Sequence, residues 1–130
     1  MKGDLVVMEN NNVDRYLYFL FESMNPVYLK EKALLNIVKK YPSFEIDNNN
    51  QDDFIDSLTK FVNENRKTTR MFIIINADDI NISNQRILSY MVKDHTYQTL
   101  SLPRNAKIIV VGNKNNINKE LFALLVAADV

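Results

Sequence analysis

Two adjacent carboxylates, Asp78 and Asp79, follow the apolar run Met71 to Ile75, and the carboxamide Asn113 follows a second run, Lys107 to Gly112, apolar after its opening lysine. A third, Leu5 to Met8, gives way to Glu9. Runs apolar on every residue belong to strands buried on both faces. If the three lie parallel in one sheet, all these polar groups converge on its carboxyl edge, where open α/β sheets bind ligands. Paired acids after a strand also serve to cap the loop and the helix that follow, so a ligand role and a capping role both stand for Asp78 and Asp79. His95, the single histidine, has no acidic neighbour that would make it a base or a metal ligand beyond Asp94 beside it in a loop, and it reads as a surface residue. The absence of cysteine removes thiolate nucleophiles, disulfides and Cys-ligated zinc or iron–sulfur centres.

The elements that must position these groups alternate. After Leu5 to Met8 and the polar segment Glu9 to Asn12, helical spacing of Tyr16, Leu17, Phe19, Leu20 and Met24 predicts a helix that ends at Asn25-Pro26. Leu29 to Lys40 reads as a second helix stopped by Tyr41-Pro42, and Phe44 with Ile46 as a short strand. A helix carrying Phe54, Ile55, Leu58, Phe61 and Val62 ends near Asn65, and a basic linker, Arg66 to Arg70, leads into the strand Met71 to Ile75, which should be central. Ser83 is the expected cap of a helix bearing Ile87, Leu88, Met91 and Val92. A polar connection from His95 to Asn105, the strand Lys107 to Gly112 and a last helix from Asn118 to Ala128 complete the chain. Strands separated by helices require crossovers, so the predicted fold class is α/β, a three-layer sandwich around a mostly parallel sheet.

The 130 residues make one domain, with 46% hydrophobic and 25% charged residues, an ordinary globular composition. Sixteen basic residues balance sixteen acidic ones, so nucleic acid or a membrane surface can be attracted only locally. Arg66, Lys67, Arg70, Arg104, Lys107, Lys114 and Lys119 flank the two strongest strands and read as solvated surface. The aromatic residues Tyr16, Phe19 and Phe21 read as core. No apolar stretch reaches the ~20 residues of a membrane span and no signal sequence is recognisable, so a cytoplasmic location and no membrane partner are expected. Two glycines, Gly3 and Gly112, are few for a backbone meant to wrap phosphates.

The stretch IIINADDINIS (Ile73 to Ser83), SLPRNAKIIVVGN (Ser101 to Asn113) and the terminal ELFALLVAAD (Glu120 to Asp129) resemble, in order and spacing, the second half of an AAA+ ATPase core, particularly its MoxR-like and McrB-like branch. The resemblance implies a P-loop NTPase fold. It also implies that Asp78 holds magnesium, Asp79 activates the attacking water and Asn113 senses the γ-phosphate. A phosphate-binding loop has the form G-x-x-x-x-G-K-[ST] between strand and helix. In the matching interval, ENNNVDRY (Glu9 to Tyr16), the glycine positions hold Glu9 and Asp14, the lysine position Arg15 and the hydroxyl position Tyr16. An acid facing a phosphate costs on the order of 4 kcal/mol at ~4 Å and an effective dielectric of 20. The arginine finger that ends the region in that branch is replaced by Ala127.

These losses lead to the expectation of a degenerate AAA+-like domain without hydrolysis, an interaction or scaffold module beside active ATPase subunits, with a protein partner or an AAA+ oligomer as its company and no cofactor. Two alternatives remain at this stage. One is an active ATPase that binds ATP with magnesium, using Arg15, Asp78, Asp79 and Asn113; the other is a nucleic-acid-binding replication or defence module. The family's helical lid has no counterpart before Val130, so the chain is expected to be either a fragment of a larger protein or a reduced copy of the core.

Overall fold

A computed structural model of the chain describes residues 17–47 and 54–127. The expected strand Leu5 to Met8 and the segment Glu9 to Tyr16, with Arg15, lie outside them. A helical segment, α1 (residues 17–21), leads through Asn25-Pro26 into β1 (Val27–Leu29). Two short 3-10 segments follow, Lys32–Asn36 and Val38–Lys40, and then β2 (Ser43–Ile46), α2 (Ile55–Glu64) and β3 (Met71–Asn76). A 3-10 turn, Ala77–Asp79, connects to α3 (Ile82–Asp94). A small antiparallel ribbon, β4 (Thr96–Tyr97) with β5 (Leu100–Ser101), precedes β6 (Ala106–Val111). The 3-10 turn Lys114–Asn116, α4 (Lys119–Phe122) and β7 (Val126–Ala127) finish the described chain.

The fold is α/β: five strands in the order β2-β3-β6-β1-β7 form a sheet whose pairings are all parallel, flanked by helices on both faces. Alternation along each strand divides the core in two. Met71, Ile73 and Ile75 join Ile108, Val110 and Tyr28 in one cluster, against Leu58 and Val62 of α2, Leu88 and Met91 of α3 and Leu121 of α4. Phe72 and Ile74 join Val27, Leu29, Ile109 and Val111 in the other, against Leu20 of α1 and Leu35 and Val38 of the 3-10 segments. Every residue of β3 is buried, as its composition demands, and the strand is interior to the sheet. Among the described residues no helix is long and apolar enough to cross a membrane.

Two expected elements are corrected. In place of a helix from Leu29 to Lys40 there is the strand β1 and then 3-10 turns. Val27, Tyr28 and Leu29 fill a slot between β6 and β7, all three buried, so the chain is extended where the helix was to begin. Leu35 and Val38 then reach the core at a spacing of three, the spacing at which a 3-10 segment stacks side chains on one side. The last helix, expected from Asn118 to Ala128, is a single turn ending at Phe122, because the chain must extend again for β7 to pair Val126 with Val27 and Ala127 with Tyr28. A smaller change concerns α3, whose cap is Asn81 rather than Ser83: the Asn81 carboxamide accepts from the Ser83 N–H at 3.1 Å.

Candidate functional site

From β1 the chain crosses to β2 at the far edge over the face of Leu35 and Val38; from β6 it passes β1 to reach β7 over the opposite face, that of Leu121. The two neighbouring strands β1 and β6 therefore release the chain in opposite directions, and the crevice outside their carboxyl ends is the topological switch point. A cleft of ≈ 640 Å³ opens there, lined among others by Tyr28, Lys30, Glu31, Asp78, Asn113 and Lys114. A smaller recess of ≈ 40 Å³ adjoins it, with Lys32, Asn76, Asp79 and Gly112 in its wall.

Of the residues expected to act, Asp78, Asp79 and Asn113 meet at this edge. Asp78 is engaged within the fold: its Oδ1 accepts the backbone N–H of Asn113 at 3.0 Å and the side-chain amide of Asn116 at 2.7 Å, clamping the turn after β3 to the turn after β6. Gly112 makes this approach possible, since a Cβ at its α-carbon would stand 3.0 Å from Asp78 Oδ1, and its φ of +145° suits no other residue well. Asn113 turns its carboxamide oxygen to the N–H of Asn115 and caps its own 3-10 turn. Asp79 faces Lys32 at 3.9 Å, both side chains being well exposed, an ion pair of small energetic weight. Ala127 sits inside β7, paired with Tyr28. Among the described residues no group of three or more His, Cys, Asp or Glu is placed to hold a metal ion.

Four participants escaped the sequence reading. Lys30 reaches the cleft, and Lys32 the recess beside it, because β1 ends at Leu29, where a helix was expected. Tyr28 is buried in the sheet and its hydroxyl donates to the carbonyl of Gly112 at 2.9 Å, tying β1 to the end of β6. Gln85 is fully buried on α3, where Nε2 donates to the carbonyls of Ala77, Ile80 and Asn116 and Oε1 accepts the N–H of Asn118. A signal for it existed: Gln85, Leu88 and Val92 share one helical stripe, and a polar residue in an apolar stripe needs partners.

Asn76, not an acid, is the last residue of β3; its side-chain amide donates to Glu45 Oε1 at 3.0 Å, while its own Oδ1 is buried without a hydrogen-bond partner among the described residues. Burial pushes the Glu45 carboxyl up, but the Asn76 amide together with Lys39, whose ammonium lies 3.3 Å away, and Lys32 outweighs it and holds the group below its ordinary value. The folded-state pKa being depressed, this contribution is complete above the unfolded value of about 4.5 and is lost as pH falls through the folded value. Denaturant midpoints of wild type should therefore fall more steeply below pH 4.5 than those of Glu45→Gln; parallel curves would refute the role given to Glu45.

His95 takes the left-handed conformation that ends α3, φ +59°, with ring Nδ1 3.1 Å from the Leu102 carbonyl. It is a helix terminator as well as a surface residue. Comparison with family models, with curated proteins and with solved structures returns no match.

Proposed function

We propose that the chain is a degenerate P-loop core of AAA+ type that acts by contact, as a non-hydrolysing interaction or scaffold module, and not by turning over ATP. The observation that carries this reading is the connection leaving β1. A phosphate-binding loop needs several residues with amides turned inward and glycine to allow it. Here Lys30 and Glu31 alone separate β1 from the 3-10 segment, with no glycine between them. The described groups at this edge also fit a magnesium triphosphate poorly. One of the two Asp78 carboxylate oxygens, Oδ1, is engaged with Asn113 and Asn116, and Glu31 brings a further negative charge to the cleft. The AAA+ assignment itself draws support from the parallel sheet, the acids immediately after an interior strand and the Asn at the end of its neighbour. Ile82, Ile87 and Tyr90, each about half exposed on α3, offer apolar surface of the kind an interaction module uses.

Calorimetry with ATP and magnesium tests the reading. No saturable heat is expected up to about 1 mM ligand, an affinity weaker than roughly −4 kcal/mol. Micromolar binding that Asp78→Ala abolishes would overturn it, and turnover lost in Asp79→Asn would establish the active ATPase instead.

A further inference from the structure

The opposite, amino edge of the sheet carries positive charge that the proposed function leaves unused. In a parallel sheet every strand begins at the same edge, so residues that precede neighbouring strands meet there although they are far apart in the chain. The strands β2, β3 and β6 are such neighbours. Lys40 precedes β2, Arg66, Lys67 and Arg70 precede β3, and Arg104 precedes β6. Two of these loops are locked together: the Asn105 side-chain amide donates to the carbonyls of Thr68 at 2.7 Å and Asn65 at 3.3 Å, and the Asn105 carbonyl accepts the Met71 N–H at 3.0 Å. Arg104 is thereby held beside the turn of Arg66 and Lys67. On the other flank the Pro42 carbonyl accepts the Phe72 N–H at 2.9 Å, which sets the segment after Lys40 against the start of β3.

The cations of this edge are of two kinds. Arg70 and Lys107 are engaged within the fold: Arg70 pairs with Glu22 at 3.0 Å and lies over the Phe21 ring, and Lys107 is half-buried and donates to the Ser23 carbonyl. Lys40, Lys67 and Arg104 are exposed, and their side chains have no ion pair or hydrogen bond among the described residues. Arg66, also exposed, donates through Nε to Asn63, which leaves the two terminal nitrogens of its guanidinium for another acceptor. The carboxylates nearby are fewer: Glu22 is taken by Arg70, and Glu64 and Asp94 end α2 and α3. In a chain of zero net charge these four cations form a local positive surface, spread over the loops of three adjacent strands and so over about 10 Å before side-chain length is added.

We infer that this edge is a binding surface for a single nucleic-acid strand, whose backbone crosses the loops along Lys40, Lys67, Arg66 and Arg104. The surroundings of the row favour a nucleic acid over an acidic polypeptide. Exposed Asn63 and Thr69 stand among the cations, and neutral Asn and Thr donors mixed with Lys and Arg are the groups that contact phosphodiester oxygens. The Tyr41 ring, next to Lys40, is 36% exposed and gives a base something to stack on. The short span limits the contact to about three phosphates, which makes the binding weak, independent of sequence and sensitive to salt.

Fluorescence anisotropy of a labelled oligothymidylate, titrated with the protein, reads the surface directly. With about three phosphates engaged, the logarithm of the affinity falls with the logarithm of salt at a slope of about −2, so binding weakens about twentyfold between about 50 and 200 mM salt. Arg104→Ala and Lys67→Ala, exposed truncations that leave the core untouched, each reduce the magnitude of that slope by about 0.7 and weaken binding severalfold. Lys119→Ala, at an exposed position by the opposite edge, leaves the titration unchanged. Polyglutamate displaces the labelled strand far less well than unlabelled oligothymidylate does. Absence of saturable binding at about 50 mM salt, truncations superimposable on wild type, or an equal loss in Lys119→Ala overturns the inference. Displacement by polyglutamate as effective as by the oligonucleotide overturns it too, and assigns the surface to an acidic polypeptide.

Discussion

Gln85→Leu is expected to destabilise the protein by about 4 kcal/mol, although leucine fits the helix and the surrounding core in size. The glutamine amide serves four backbone groups from three different segments: the carbonyls of Ala77 and Ile80 after β3, the carbonyl of Asn116, and the N–H of Asn118 at the start of α4. The Ala77 carbonyl keeps the Ile80 N–H as a donor, so three groups lose their partner; each costs about 1–3 kcal/mol, and relaxation of the two loops recovers part of that sum. The favourable transfer of leucine is worth only about 1.5–3 kcal/mol and does not cover the difference. Thermal or urea unfolding of Gln85→Leu measures this directly. A loss under about 1 kcal/mol would show that water replaces the amide and that the three segments are not held through Gln85. Gln85→Glu separates packing from hydrogen bonding, because the carboxylate keeps the shape and the acceptor but has no N–H to donate to the carbonyls around it.

The contrast between Gln85 and Ile74 explains how much the sequence could reveal. Ile74 sits in a run apolar on every residue, and that run is enough to imply an interior parallel strand, which β3 is. The helices α2 and α3 and the strand β6 were legible for the same reason: each buries a periodic set of its own residues. β1 and β7 were not, because three and two residues carry no period, and their strand state comes from the partners that sequence-distant β6 and β1 supply. Missing β1 concealed Lys30 and Lys32, and with them the charge of the cleft. For Asp78, Asp79 and Asn113 the location at the carboxyl edge was legible, since it follows from strand ends. Their hydrogen-bond partners were not: that Asp78 spends its oxygen on Asn113 and Asn116 depends on two turns meeting 35 and 38 residues apart. Likewise the basic residues read as solvated surface, and only the parallel register places Arg104 and Lys107 beside the segment of Arg70.

Gly112→Ala should cost about 3 kcal/mol, combining strain in a backbone conformation that side-chain-bearing residues avoid with contact against the turn it abuts. At φ +145° the new methyl would meet Asp78 Oδ1 at 3.0 Å, its Cγ at 3.1 Å and its backbone nitrogen at 3.2 Å. The carboxylate can swing away, at the expense of its bonds to Asn113 and Asn116, but the backbone nitrogen cannot. The neighbouring bonds of Gly112, N–H to the Leu29 carbonyl and carbonyl from the Tyr28 hydroxyl, further oppose a shift of this residue. A double-mutant cycle with Asp78→Ala isolates the side-chain part. The glycine substitution should cost about 1 kcal/mol less in the Asp78→Ala background than in wild type, a positive coupling between groups in contact, while the backbone part persists. Strict additivity would mean that Asp78 yields freely and is not a clamp. In that case its carboxylate is available to a ligand, and the strongest ground for reading this edge as a structural clamp rather than a nucleotide site falls with it.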